Sequence, residues 1–279
     1  MIITRIHTIE EYKLFKKNNE DTLRDIWLSE KALTPPIKKE FFYKGFSYPA
    51  KEVVDFMVDF EYSDGIHVNW RERLVCPKTN FSNRLRACIH FADFELGILP
   101  YHKLYITEQV TPLYRYFKEH IPTTVGSEFL GTNIPSGTVR DGIRHEDMTR
   151  HSFADKSFDF YLSFECFEHI PDFRQSFREA HRVLKDDGAL FFTVPFVPGH
   201  YESIIRATIS PGGEITHLLE PEYHGDPVNG SGILCFTHFG WQMLDDLRGV
   251  GFRDVYALIY WSDSFGYLGG EQIIFIAKK

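Results

Sequence analysis

Acidic residues mark the ends of three successive apolar segments between residues 103 and 147. Glu108 lies at the end of the first segment, Glu128 at the end of the second and Asp147 just after the third. Glu128 at the tip of a strand can accept both hydroxyls of a ribose, and Asp147 can accept an exocyclic amine while Met148 packs on a purine face. The carboxyl ends of parallel strands meet at one edge of a sheet, so these acids predict a nucleoside site.

A fourth apolar segment, residues 158–164, is followed by a further group of ionisable side chains. The sequence SFECFEHIPD brings Glu165, Glu168 and His169 together at the same predicted edge. His169 can serve as a general base there, or it can hold the start of the next helix before Pro171.

A long polar insertion follows the fifth apolar segment, and connections of this length are usually functional. We expect it to form the substrate pocket. Its densest polar group is EYHGDP, in which Tyr223 and Asp226 can orient the imidazole of His224. A single histidine is more often structural than catalytic, but this grouping makes His224 the leading general base, ahead of His169. The insertion also supplies His238 to this pocket. If the C-terminal hairpin folds over the strand ends, Tyr267 and Glu271 join the same rim.

The elements that must position these residues follow a regular alternation from about residue 96 onward. Predicted strands are 103–108, 123–128, 143–146, 158–164, 188–194, 252–260 and 271–277, and predicted helices are 111–120, 172–185 and 238–249. Apolar strands that alternate with amphipathic helices are typical of a parallel sheet covered on both faces. The last two strands lack a helical connection, which favours an antiparallel pair. Residues 1–95 are irregular and predict a small α+β extension before a domain at 96–279.

Composition limits the class of partner and the compartment. The 279 residues carry a formal net charge of −8, which makes a nucleic acid an unlikely partner because such binders usually present a basic face. The N-terminal residues contain neither a signal peptide nor a long apolar run, so we expect a cytoplasmic protein without membrane contact. The four cysteines form no CxxC pair, and we therefore predict no metal site. Nothing in the sequence indicates the oligomeric state.

The segment RHEDMTRHSFADKSFDFYLSFECFEHIPDFRQSFREAHRVLKDDGALFFTVPF resembles class I S-adenosylmethionine (SAM)-dependent methyltransferases of the methyltransferase type 11 kind. The resemblance covers residues 100–279 and is most specific over residues 143–195. It implies a Rossmann-like α/β fold whose seven-stranded sheet has an antiparallel last strand, with SAM as the cofactor. It assigns the ribose hydroxyls to Glu128 and the adenine ring to Asp147 and Met148. The residues that it implies for the methionine moiety are Ser163, Phe164 and Glu165.

The first turn departs from that family, whose members have an acidic, glycine-rich loop at this position. Here the turn reads TEQVT and contains no glycine. Glycine is needed where a pyrophosphate must contact the backbone, and SAM carries no phosphate, so the requirement for glycine is weaker here. Glu108 can bind its amino group, and Thr107 and Gln109 can supply hydroxyl and amide contacts.

The N-terminal sequence WRERLVCPKTNFSNRLRA is similar to segments in which a zinc ribbon precedes a methyltransferase domain. Only Cys76 stands where such a ribbon has cysteine pairs, and structural zinc needs four ligands. We therefore expect a ribbon-like fold without metal.

These features together predict methyl transfer to a small polar acceptor. Polar aromatic side chains and histidines favour an oxygen of a carbohydrate or of a sugar-linked group in surface polysaccharide biosynthesis. Two alternatives remain open from the sequence alone. The ribbon-like segment favours an RNA methyltransferase, and the missing glycine loop favours a non-catalytic binding module that kept the fold.

Overall fold

The computed structural model describes residues 1–210, 212–226, 228, 230 and 232–279, and the chain divides into two compact units. The first unit consists of residues 1–6, 10–98 and 257–274, and the second of residues 7–9, 99–256 and 275–279. The break after residue 98 lies close to the predicted boundary at 95/96. In contrast to the prediction, residues 257–274 belong to the first unit.

The first 98 residues form a hairpin and three helices besides one strand of the main sheet. The elements are β1 (Ile2–Ile6), α1 (Ile9–Asn18), α2 (Glu20–Leu33), β2 (Phe41–Ser47), β3 (Glu52–Val58) and α3 (Asn83–Leu96). The β2–β3 hairpin pairs Phe41 with Val58. Cys76 is fully buried in the apolar cluster beneath this hairpin, with Phe56 and Leu74. Among the described residues it belongs to no group of three metal-ligating side chains.

The second unit begins with a strand–helix–strand arrangement. Its elements up to the insertion are β4 (Leu104–Ile106), α4 (Pro112–His120), β5 (Val125–Gly126), β6 (Val139–Arg140), β7 (Ile143–Arg144), β8 (Phe158–Phe164), α5 (Phe173–Val183) and β9 (Leu184–Thr193). Helix α4 starts because the hydroxyl of Thr111 accepts a hydrogen bond from the backbone of Tyr114 and because Pro112 suits the first turn. The hydroxyl and the proline thus set the entry to this helix, which corresponds to the predicted helix 111–120.

The insertion after β9 folds as short antiparallel pairs. Its strands are β10 (Ile204–Ile205), β11 (Ala207–Ile209), β12 (Ile215–His217), β13 (Tyr223–His224), β14 (Ile233–Leu234) and β15 (Thr237–His238), and the chain continues through α6 (Gln242–Val250), β16 (Asp254–Ser262) and β17 (Tyr267–Lys278). The pairs are β10 with β15, β11 with β12, and β13 with β14. None of the helices in the described part of the chain is long and apolar enough to cross a membrane.

The main sheet has seven strands in the order β1-β16-β17-β9-β8-β4-β5. Neighbouring strands from β5 to β9 are parallel, whereas β17 is antiparallel to β9. The structure therefore confirms the predicted α/β class and the seven-stranded sheet with a reversed last strand. Because β8 and β9 are covered on both faces, they are almost continuously buried.

One predicted strand is not a member of this sheet. Residues 143–146 were expected to form the third strand, but the chain reverses at Asp141 and Gly142, which have φ angles of 50° and 80°. Such a turn favours a two-stranded hairpin, here β6–β7. What remains of the expected strand is a parallel bridge between Glu128 and His145. The seventh strand is instead β1, which pairs antiparallel with β16.

Candidate active site

The turn after β4 is closed by a carboxylate from the neighbouring strand end. Glu128 Oε1 accepts hydrogen bonds from the backbone nitrogens of Gln109, at 2.6 Å, and Val110, at 2.9 Å. These two amides would otherwise be free at a helix start. Gly126 allows this close packing, since a Cβ at that position would lie 2.5 Å from the carbonyl oxygen of Glu108. The turn without glycines is thus possible because the required glycine lies on the adjacent strand.

Glu128 and Asp147 lie on adjacent segments, although the segment that carries Asp147 is not a strand of the main sheet. The bridge between Glu128 and His145 brings their two segments side by side. Asp147 Oδ1 accepts hydrogen bonds from the backbone nitrogen and the hydroxyl of Thr149, at 2.8 and 2.7 Å. Within the described residues, the second carboxylate oxygen of Glu128 and that of Asp147 have no hydrogen-bond partner. Each acid therefore keeps one acceptor for a ligand, and two acceptors at this edge fit the ribose and amine of an adenosine.

Several residues predicted to contact the cofactor are committed to the protein instead. The amide of Gln109 donates to the carbonyl of Gly142 and accepts from the nitrogen of Arg144, both at 2.8 Å. The hydroxyl of Thr107 donates to that of Ser163 at 3.1 Å, and both side chains are buried. Both polar atoms of the Gln109 side chain hold the β6–β7 hairpin, and the predicted contact of this side chain with the cofactor stays a prediction. Thr107 and Ser163 bind each other.

The other predicted cofactor residues differ in their burial and in their contacts with the protein. Glu108 accepts a hydrogen bond from the hydroxyl of Thr111, which holds it at the start of α4. Phe164 is buried and Met148 is half-buried. Glu165, directly after β8, has a φ of 54°, a left-handed conformation that costs a residue with a side chain about 1 kcal/mol or more. Strained backbone of this kind clusters at functional sites, and here it directs the chain away from the sheet edge.

The turn after β8 and the insertion together form a buried ionisable cluster. Glu168 Oε1 lies 3.5 Å from Nε2 of His169 and 3.5 Å from Nδ1 of His224. The Glu168 side chain is completely buried, and neither of its oxygens has a hydrogen-bond partner among the described residues. The two imidazole rings meet edge to face, with their centroids 4.9 Å apart. The two histidines predicted as general bases are therefore neighbours, and an acid that the sequence analysis left without a role lies between them.

Burial and neighbouring charge shift the pKa values within this cluster in opposite directions. Burial raises the pKa of Glu168 to about 7, because the ionised carboxylate loses its hydration. The carboxylates of Glu168 and Glu222 raise the pKa of His224 to about 9, whereas burial lowers that of His169 to about 4. His169 is therefore neutral near pH 7, while Glu168 and His224 titrate as a coupled pair.

Glu222 connects this cluster to the rest of the insertion. Its Oε1 lies 2.9 Å from Nε2 of His224 and 3.1 Å from Nε2 of His238, and its Oε2 lies 3.1 Å from Arg206. The predicted substrate residue His238 thus belongs to the cluster. Sequence reasoning missed Glu222, although it is the first residue of EYHGDP, because a glutamate in a loop is usually solvated.

The remaining predicted substrate residues lie elsewhere. Tyr223 is 61% exposed and points to the face of its strand opposite His224, since successive side chains alternate. Asp226 Oδ1 accepts a hydrogen bond from the nitrogen of Val228 in a local turn. Tyr267 and Glu271 belong to the first unit, and their place in the substrate rim stays a prediction. Tyr267 is fully buried with its hydroxyl 3.1 Å from His90, and Glu271 pairs with Lys16.

Comparison with known proteins finds a methyltransferase domain in the second unit. Residues 113–192 match the family described as methyltransferase domain. A SAM-dependent methyltransferase from Mesorhizobium loti is 16% identical, and the match, with a TM-score of 0.42, covers 70% of this chain and 100% of that one. The 1,6-didemethyltoxoflavin-N1-methyltransferase of Burkholderia thailandensis, solved with S-adenosylhomocysteine bound, is 15% identical over 70% of this chain and 77% of that one, with a TM-score of 0.39. No curated protein matches the sequence.

The matched segment runs from α4 to β9 and includes β5, β8 and α5, which form the sheet edge described above. It does not reach the residues that resemble a zinc ribbon. The match over residues 113–192, together with the strand order of the sheet, shows a methyltransferase domain with a Rossmann-like fold.

Proposed function

We propose that this enzyme methylates a small polar acceptor, namely an oxygen of a carbohydrate or of a sugar-linked group in surface polysaccharide biosynthesis. Bound SAM supplies a methyl group on a good leaving group, so the protein has to align the acceptor, exclude water and accept a proton. Glu128 and Asp147, each with one free carboxylate oxygen, are assigned to the ribose and the adenine amine. Met148 is assigned to the ring, and Glu108 and Glu165 to the methionine end.

The observation that carries this proposal is the buried carboxylate of Glu168 beside His224. A hydroxyl acceptor must lose its proton, and a proton acceptor near the strand ends meets that need. The raised pKa of His224 means that the histidine alone is protonated near neutral pH. We therefore assign the proton to Glu168 and His224 as a coupled pair, which refines the sequence expectation of a lone His224 base.

The chemistry of the insertion supports a hydroxyl-rich acceptor. Arg206, Glu222 and His238 add hydrogen-bond donors and acceptors next to His224 within one hairpin network. The net charge of −8 disfavours a long phosphate backbone, which supports a carbohydrate over an RNA.

The test is methyl transfer from radiolabelled SAM. Nucleotide sugars, surface oligosaccharides and structured RNA are offered in parallel, and the methylated position is mapped by mass spectrometry. We expect label on a sugar oxygen and none on RNA. Label on RNA, or on a nitrogen of a small molecule, would refute the proposed acceptor while leaving the methyltransferase assignment intact.

A further inference from the structure

Three side chains of the second unit converge on one point at the spacing of metal ligands. Glu168 Oε1 lies 3.5 Å from His169 Nε2 and 3.5 Å from His224 Nδ1, and the three atoms all lie within 4.8 Å of one another. Two ligands of a tetrahedral ion with bonds of about 2.0–2.2 Å are about 3.3–3.6 Å apart. A charge-assisted hydrogen bond is shorter, at about 2.7–2.9 Å. The spacing therefore fits ligands around one ion better than direct hydrogen bonds.

A backbone carbonyl fixes the tautomer of His169. Its Nδ1 lies 2.9 Å from the carbonyl oxygen of Leu234, which can only accept a hydrogen bond. The proton is therefore assigned to Nδ1, and Nε2 directs a lone pair at Glu168. Metal-binding histidines characteristically donate their other ring N–H to a carbonyl or a carboxylate.

A carboxylate plays the same part for His224. Glu222 Oε1 lies 2.9 Å from Nε2 of this residue, so Nε2 is assigned a proton and Nδ1 is the ring nitrogen that faces Glu168. A metal ion binds a neutral imidazole, so it would displace the proton that Nδ1 carries in the metal-free protein. The outer partners of the two histidines therefore already orient one nitrogen of each ring toward the convergence point.

Glu168 supplies the independent observation. Its side chain is completely buried, and both of its oxygens lack a hydrogen-bond partner within the part of the chain that the structure describes. A buried carboxylate without a partner is costly, and such groups are normally paired or bound to a metal. A bound cation would therefore offset the energetic cost of burying the Glu168 carboxylate.

We propose that Glu168, His169 and His224 bind one divalent transition-metal ion, with Zn²⁺ as the best fit to the ligand set. Two imidazoles and one carboxylate with a fourth position open make up a common catalytic zinc arrangement. The sequence predicted no metal because its spacing offers no signal: two ligands are adjacent and the third lies far along the chain. Glu222 is the outer partner that orients His224, and it also holds His238.

The role of the ion rests on the proposed function, whereas its binding does not. An acceptor hydroxyl in the open position would become more acidic, because a bound cation lowers the pKa of an oxygen ligand. The metal would then replace the proton that Glu168 and His224 otherwise share.

The experiment titrates chelator-treated full-length protein with Zn²⁺ by calorimetry and with Co²⁺ by visible absorption. We expect one equivalent of Zn²⁺ and the intense visible bands of tetrahedral Co²⁺. Glu168→Gln and His224→Gln should weaken Zn²⁺ binding at least 100-fold. Glu222→Gln, which removes only an outer partner, should weaken it about 10–100-fold. His217→Gln, an exposed histidine of the same insertion, is the matched control and should bind as the unmodified protein does.

Two results would overturn the metal site: no stoichiometric Zn²⁺ in the unmodified protein, or unchanged affinity in folded Glu168→Gln. Circular dichroism and SAM binding establish that each variant folds, and Glu222→Gln remains informative if Glu168→Gln does not. Methyl transfer to a sugar without Zn²⁺ binding would refute the metal site and support the proposed function. Stoichiometric Zn²⁺ binding without methyl transfer to any sugar would support the metal site and refute the proposed acceptor.

Discussion

Glu128 Oε1 lies 2.6 Å from the backbone nitrogen of Gln109, so a side chain of one strand end closes the turn that follows its neighbour. The same oxygen also accepts from Val110. Glu128 therefore combines two roles that can be separated by substitution, since one oxygen holds the turn and the other is assigned to the ribose.

Glu128→Gln keeps an acceptor for the turn but places an amide where the ribose hydroxyls bind. We expect the free energy of unfolding to change by less than about 1 kcal/mol and the Kd for SAM to rise about tenfold or more. Glu128→Ala also frees the two amides and should cost about 1–3 kcal/mol in stability. Calorimetry and denaturant unfolding measure the two effects, with exposed Glu119→Gln as the control. Unchanged SAM affinity in Glu128→Gln would remove the ribose assignment.

Asp147→Asn tests the adenine contact. Asparagine can still accept the two hydrogen bonds from Thr149, but it turns an N–H donor toward the adenine amine. Two facing donors leave both unpaired, so we expect SAM affinity to fall about tenfold or more with little change in stability. Asp187→Asn, at an exposed position, should bind SAM normally. If isothermal titration gives equal affinities for the two variants, Asp147 does not contact the cofactor.

His224→Ala tests the proton acceptor. Turnover should fall about 10²–10⁴-fold, the usual contribution of a general base, while SAM affinity stays within twofold because the residue lies on the acceptor side. The comparison is His217→Ala, which alters an exposed histidine of the same insertion. Steady-state kinetics combined with SAM titration separates the two effects. Full activity in His224→Ala would exclude the residue from the chemistry.

The sequence predicts those parts of the fold whose pattern is local. Segments such as β8 and β9 carry long apolar runs, and Thr111 with Pro112 marks the start of α4 from neighbouring residues alone. The sequence does not reveal that β1 completes the sheet, because pairing with β16 joins opposite ends of the chain. The missing third strand results from the turn at Asp141 and Gly142, whose positive φ angles outweigh the strand propensity of the flanking residues.

In the candidate site, too, some contacts follow from the sequence pattern and others depend on how distant segments fold together. Glu128 and Asp147 were predicted as neighbours from a parallel strand before Asp147, whereas in the structure a single bridge between Glu128 and His145 brings their segments together. The contacts of Gln109 with Gly142 and of Glu222 with His224 depend on how loops fold back, which periodicity does not encode. Tyr267 was predicted to line the rim if the C-terminal hairpin folds over the strand ends, and its full burial within the first unit depends on packing that periodicity does not encode.

Glu146 gives a prediction on acid stability. Burial alone would raise its pKa, but the hydrogen bonds of His151, Ser152 and Arg144 outweigh that effect and lower it from 4.5 to about 2. A lowered folded-state pKa stabilises the fold above pH 4.5, and this contribution, about 3 kcal/mol, is lost as the pH falls from 4.5 toward 2. Glu146→Gln should flatten the dependence of unfolding free energy on pH across that window, as measured by denaturant titrations. A slope equal to that of exposed Glu214→Gln would contradict this.

Gly126→Ala tests whether the glycine that the turn lacks is supplied by β5. The added Cβ would lie 2.5 Å from the carbonyl oxygen of Glu108 and from the ring of Tyr114, so the turn or helix α4 must shift. We expect a loss of about 1–3 kcal/mol in stability and a weaker Kd for SAM, because Glu128 can no longer reach both amides. Gly199→Ala is the matched control, since a Cβ there meets no atom within 4 Å. Thermal unfolding and SAM titration compare the stability and the Kd for SAM of the two variants. Equal values for both variants would show that the turn does not depend on this close approach.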